Sequence, residues 1–129
     1  MRFRVQKLIR DGLPQMMRDQ GLKVFERRLD EGEFIQALKE KLVEEAAEAR
    51  DAAAPAELLA ELADVMEVIY ALAAATGLPM EEIEAQRQAK RAARGGFDQR
   101  IFNAAVEAAD GLAAAEYYLA RPGRYPRED

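Results

Sequence analysis

The sequence predicts an all-α fold, a bundle of about four to five helices. Apolar residues recur at helical spacing along two long stretches, about residues 31–53 and 56–76. Alanine and leucine are abundant and β-branched runs are few. Pro55, Gly77, Pro79 and Gly95 punctuate the chain where periodic stretches begin or end. Half of the residues are apolar but only 7% are aromatic, so aliphatic and alanine packing must fill the core. The 129 residues suffice for one domain, expected over residues 1–120, with a flexible proline- and charge-rich tail at 121–129. Thin alanine-rich helix faces invite close approach of a second copy, so a homodimer or a dimer of dimers is expected to complete the bundle.

Taken in order, residues 3–13 mix apolar and basic side chains and read as an extended arm before Pro14. A short helix from Pro14 to Gln20 stops at Gly21. Lys7 and Arg10 form a basic pair in the arm, with Asp11 close by. Residues 22–29 partly alternate and suit a short strand or an extended connector. Asp30 and Glu33 have capping-box spacing, which starts the first long helix at about Glu31 and carries it to Ala53. Pro55 ends that helix and opens the next, from about Ala56 to Thr76, with Gly77 as its C-terminal cap. Pro79 starts a third helix to about Ala93. Its last turn carries Lys90, Arg91 and Arg94, which suit the helix dipole. Lys90 and Arg94 are also i,i+4 neighbours facing one way, a serviceable clamp for phosphate oxygens. A last helical stretch is expected from about Asn103 to Leu119, with Gly111 as a possible kink.

There is no cysteine and no histidine. Disulfides, thiolate-bound zinc and iron–sulfur clusters are excluded, as are the Glu-x-x-His pairs of ferritin-like di-iron bundles. A general base must be a carboxylate, a lysine, a tyrosine or a metal-activated water. No apolar run is long enough to span a membrane, and Met1-Arg2-Phe3-Arg4 is not followed by a signal-peptide core, so a cytoplasmic location and no membrane partner are expected. The net charge of −5 argues against general affinity for nucleic acid.

The most telling stretch runs from Lys41 to Asp64. Glu45 and Glu48, then Glu61 and Asp64, are two carboxylate pairs spaced i,i+3 on consecutive helices, and each pair projects to one side of its helix. At ~100° per residue, Phe34, Ile35, Leu38, Leu42, Ala46 and Ala49 form the buried stripe of the first helix. Glu45 falls inside that stripe, with Lys41 and Glu48 at its edge. Leu58, Leu62, Val65, Ile69, Leu72 and Ala73 form the stripe of the second helix, which Glu61 borders, while Asp64 lies further round beside Val68. An antiparallel hairpin would bring the four acids together. Converging acids repel unless a cation sits among them, and oxygen donors alone suit a hard divalent ion, Mg2+ or Mn2+. The plainer reading is a solvated acidic face with one acid near an interface.

The order Glu44-Glu45-Ala46-Ala47-Glu48, a spacer, then Glu61-Leu62-Ala63-Asp64 resembles the metal motif of the MazG-like branch of the all-α nucleoside triphosphate pyrophosphohydrolases. That superfamily includes dimeric dUTPases and phosphoribosyl-ATP pyrophosphohydrolase. Lys7-Leu8-Ile9-Arg10-Asp11 and Lys90 to Arg94-Gly95-Gly96-Phe97 resemble one MazG-related subgroup, and the likeness covers about residues 5–102. Many relatives carry an asparagine shortly before the basic pair, where this chain has Gln86 and Gln88. The resemblance implies that Glu45, Glu48, Glu61 and Asp64 hold magnesium and that Glu44 is an auxiliary acid. Glu45 would orient or deprotonate the attacking water, and Lys7, Arg10, Lys90 and Arg94 would meet the phosphates of a nucleotide substrate. It further implies hydrolysis of (d)NTP to (d)NMP and pyrophosphate in a house-cleaning role, with phosphoribosyl-ATP hydrolysis as the alternative. A helical interaction module without catalysis is the competing reading from a different class, and a phosphate-binding regulator is a third.

Overall fold

Two helices of 21 residues each, α2 (Glu31–Asp51) and α3 (Pro55–Ala75), pack together as a hairpin. In the computed structural model, which describes residues Met1–Asp129, α1 (Leu13–Asp19) precedes this hairpin and α4 (Met80–Arg94) and α5 (Ala113–Leu119) follow it. There is no β-strand, so the all-α expectation holds, and residues 22–29 are a connector without strand structure. No helix is long and apolar enough to cross a membrane.

Local chemistry sets each helix end. The Asp30 carboxylate accepts from the Glu33 backbone N–H at 2.8 Å, and the Glu33 side chain accepts from the Asp30 N–H at 3.4 Å, so two of the orphan donors at the start of α2 are satisfied. Arg27 donates to both Glu33 oxygens, at 3.2 and 2.8 Å, which ties the preceding connector to the cap. Pro55 opens α3, where its missing N–H costs nothing. The Ala53 N–H, left free by the break, donates to Glu57 Oε2 at 3.0 Å. At the far end of α3, Gly77 takes a φ of +71°, and the Leu78 N–H reaches back to the Ala73 carbonyl at 2.9 Å. This left-handed closure favours glycine because a Cβ there would be strained.

The chain divides into two compact units, Met1–Ala93 and Arg94–Asp129. In the first, the interface of α2 and α3 supplies the core. Its buried apolar side chains are Leu38, Val68 and Ala73, with Phe34, Ile35, Leu42, Val65, Ile69 and Leu72 half-buried around them. Two members of the stripe expected on α3, Leu58 and Leu62, are instead exposed, and Val68 takes the buried place. The reason is that α3 is apolar nearly all round, so periodicity alone does not select its inward face. Leu59, Leu62, Met66 and Tyr70 make a second stripe, 48–73% exposed, within about 80° of the helix circumference.

In the second unit, only residues 113–119 are helical, not the whole of 103–119. Residues 103–110 are alanine-rich but carry a single large apolar side chain, Val106, which is itself exposed. Helix propensity without a face to bury does not sustain a short helix. Tyr125, in the stretch expected to be a flexible tail, lies 5.9 Å from Tyr117 and 5.0 Å from Tyr118 between ring centroids.

Two measurements test the α2 cap. Asp30→Ala is expected to lower stability in urea unfolding by about 1 kcal/mol. Arg27 and the Asp30 backbone hold the Glu33 carboxyl down at about 2, below its ordinary 4.5, so its stabilising charge is present above pH 4.5 and lost as pH falls through 2. The stability gap between the parent chain and Glu33→Gln is therefore expected to narrow steadily across that window.

Candidate metal centre

The hairpin register brings the acids face to face. Glu45 stands six residues before the end of α2 at Asp51, and Glu61 stands six residues after the start of α3 at Pro55. With equal rise from a short connection, the two side chains meet across the interface. Asp64 lies one turn further along α3. One carboxylate oxygen from each of Glu45, Glu61 and Asp64 lies within 4.8 Å of the other two. Glu48, expected as a fourth member, is exposed and outside this group, although its carboxylate lies against that of Glu45.

The electrostatics of the cluster are unfavourable as it stands. Glu45 is only 7% exposed. Burial first, and then the neighbouring Glu48 carboxylate, push its pKa above the ordinary carboxylate value, against a smaller opposing pull from Lys41. Glu45 Oε2 and Glu61 Oε2 are both buried without a hydrogen-bond partner. At an effective dielectric of about 20, two unit charges about 5 Å apart repel by about 3 kcal/mol. Buried, unpaired acceptors converging from two helices are the donor set of a hard divalent cation, and the three residues fit such an ion.

Three cations pair with acids in the cluster or beside it. Lys41 Nζ lies 3.1 Å from Glu44 Oε2 and 3.4 Å from Glu45 Oε1. Its part in the site was not anticipated, yet the spacing Lys41-x-x-Glu44-Glu45 was a usable signal. The arm supplies two more cations. Lys7 Nζ pairs with Glu44 Oε1 at 2.8 Å, and Arg10 Nη2 pairs with Asp64 Oδ1 at 2.7 Å. The Lys7 ammonium, foremost through its hydrogen bond, holds the Glu44 carboxyl below its usual range, and Glu44 in turn raises Lys7. A cleft of about 420 Å³, lined by Lys7, Lys41, Glu40 and Glu44 among others, lies between the arm and α2. The other expected phosphate-binding pair, Lys90 and Arg94, is exposed at the end of α4, and α4 buries no residue.

A family model described as phosphoribosyl-ATP pyrophosphohydrolase matches residues 15–91. The match takes in both hairpin helices and all three clustered acids, as well as Glu44, Glu48 and Lys90, but not Lys7, Arg10 or Arg94. No curated protein and no solved structure matches the chain.

The raised pKa of Glu45 yields a test that needs no ligand. The folded value lies above the unfolded one, so the Glu45 charge is neutral to stability below the ordinary carboxylate pKa and destabilises the fold as pH rises through the folded value. Glu45→Gln is expected to melt above the parent chain at pH 7 in the presence of a chelator. That gap is expected to close when the melts are repeated near pH 4.

Proposed function

Because the chain belongs to the phosphoribosyl-ATP pyrophosphohydrolase family of hydrolases, we propose that it hydrolyses phosphoribosyl-ATP to phosphoribosyl-AMP and pyrophosphate with magnesium as cofactor. The observation that carries the proposal is the pair of buried, unpartnered oxygens of Glu45 and Glu61, which face each other beside Asp64 within the matched segment. The match favours this substrate over the general (d)NTP reading drawn from the sequence. The (d)NTP reading stays as a second possibility because the arm motif at Lys7–Asp11 and the Gly95-Gly96-Phe97 stretch, both outside the matched residues, resemble a MazG-related subgroup.

In this reading Glu45, Glu61 and Asp64 hold the cation, with Glu48 joining from the side of Glu45. The cation would supply the positive charge through which an acidic pocket accepts a polyphosphate, and would lower the pKa of bound water. The rest of the work falls to the chain. Glu45 takes the proton of the attacking water, a role that suits a carboxylate whose pKa burial raises above its ordinary value. Water adds to phosphorus, the anhydride bond between the α and β phosphates breaks, and pyrophosphate leaves. Glu44 fixes Lys7 and Lys41 through paired contacts. Lys7, Arg10 and Lys90 meet phosphate oxygens, so that catalysis is positioning and charge stabilisation.

We also infer a homodimer as the working form. The Leu59, Leu62, Met66 and Tyr70 stripe is too continuous for a solvent face of a helix already packed on its other side.

A pyrophosphate-release screen over phosphoribosyl-ATP and the canonical and modified NTPs and dNTPs separates the two substrate readings. Release from phosphoribosyl-ATP is expected to dominate, and release from dNTPs alone would overturn the choice. Asp64→Asn and Glu45→Gln are expected to lose turnover by at least about 100-fold while keeping the helical circular dichroism spectrum. Magnesium at about 100 times its Kd is expected to stabilise the parent chain by about 2.7 kcal/mol and to leave Asp64→Asn unmoved. Met66→Glu is expected to sediment as a monomer under conditions where the parent chain is a dimer.

A further inference from the structure

The arm reaches both helices of the hairpin, and its two cations meet acids of different kinds. Lys7 pairs with Glu44, which lies outside the clustered acids and is also held by Lys41. Arg10 pairs with Asp64, which is one of the three. Arg10 therefore already neutralises a carboxylate that the proposed cation needs. Between them in sequence, Leu8 and Ile9 are half-buried and seat the arm, while Arg10 itself is exposed.

Resting on the metal-centre reading above, we propose that Arg10 is a displaceable counter-ion: it holds Asp64 until a divalent cation takes the cluster, and then swings to an anionic phosphate while Lys7 and Leu8 keep the arm in place. The physical case has three steps. The Arg10–Asp64 contact is short, at 2.7 Å, but its side chains are 56% and 38% exposed, so solvent screens it and it is a weak pair. A doubly charged ion on the same carboxylate repels the guanidinium twice as strongly as a single charge would, so the two cannot share Asp64 without mutual cost. A guanidinium released there has its planar donors free beside a site that takes phosphate, and a bidentate phosphate contact is the stronger partnership. The exchange makes the order of events definite: the cation loads first, and its loading creates the phosphate donor. Arg10 is thus a positioning residue for the acid before loading and a substrate contact after it.

The test is Mn2+ binding by titration calorimetry on the full chain without nucleotide. Arg10→Gln is expected to tighten Mn2+ binding by about 3- to 10-fold, because the competitor for Asp64 is gone. Lys7→Gln removes the same charge from the same arm but not from Asp64, and is expected to tighten it less. A purely structural role for Arg10 predicts the opposite sign, a loss of affinity. Equal tightening in the two variants, no change, or a loss in Arg10→Gln would overturn the inference. If the parent chain binds Mn2+ and Asp64→Asn does not, such a result sinks the exchange alone and leaves the metal centre standing. If the parent chain binds no Mn2+, the metal centre falls and the exchange with it. Side-chain nitrogen NMR gives a second reading: rotation of the Arg10 guanidinium is expected to speed up on adding Mg2+ and to slow again on adding inorganic pyrophosphate. Rotation unaffected by Mg2+ counts against the exchange.

Discussion

Glu45 carries a carboxylate into the seam between α2 and α3, with one oxygen buried and unpartnered and a second such oxygen, from Glu61, arriving across the seam. Hydrophobic packing alone would exclude both, since a buried unpaired acceptor costs about 1–3 kcal/mol and a charge more. The neighbouring features answer this cost. Lys41, one turn before Glu45, leans towards it, and the arm lays Lys7 and Arg10 against Glu44 and Asp64. The cations reach Glu45 Oε1 and Asp64 Oδ1 but leave Glu45 Oε2 and Glu61 Oε2 without a partner, an arrangement that tolerates the acids without satisfying them.

The helix break is as important as the acids. A connection of residues 52–54 followed by Pro55 leaves little freedom in how α3 returns along α2, so side chains equally far from the break must face each other. That geometry was legible in the sequence: i,i+3 acid pairs on two helices that turn back at Pro55, with Glu45 inside an apolar stripe, point Glu45, Glu61 and Asp64 to one place. Glu48 was less legible, because i,i+3 spacing specifies a side of a helix but not how far round the partner helix reaches. The Arg10–Asp64 pair, 54 residues apart, had no sequence signal at all, since an arm without helical periodicity gives no direction to its side chains. The helix expected over 103–119 forms over 113–119 alone for a related reason. Alanine favours a helix locally, but a short helix needs an apolar face and something to cover it.

The inward face of α3 was likewise hidden, and this bears on assembly. A helix apolar on one side declares its core; α3 is apolar on both, so the pattern fits one neighbour as well as another. The hairpin uses the side bearing Val65, Val68 and Leu72, which leaves Leu59, Leu62, Met66 and Tyr70 outward. With Leu38, Val68 and Ala73 the buried apolar side chains of the hairpin and none of them fully enclosed, the chain holds little core of its own. A second copy over the outward stripe would enclose α3 and also remove water from the helix that carries Glu61 and Asp64, strengthening every charge interaction at the centre.

The absence of histidine gives the charge arrangement its logic. A histidine in the cluster would offer a neutral ligand and a base near pH 7 at once; carboxylates offer neither unless their surroundings change them. Here burial does so for Glu45, raising its affinity for a proton, while Lys7 does the reverse for Glu44, keeping it ionised. Two adjacent glutamates on one helix are thus driven apart in character by what each side chain faces, the seam in one case and the arm in the other. One becomes the candidate to accept a proton and the other the anion that pairs with Lys7 and Lys41. A single helical turn can divide acid–base labour in this way only because α3 closes over one side of it and the arm crosses the other.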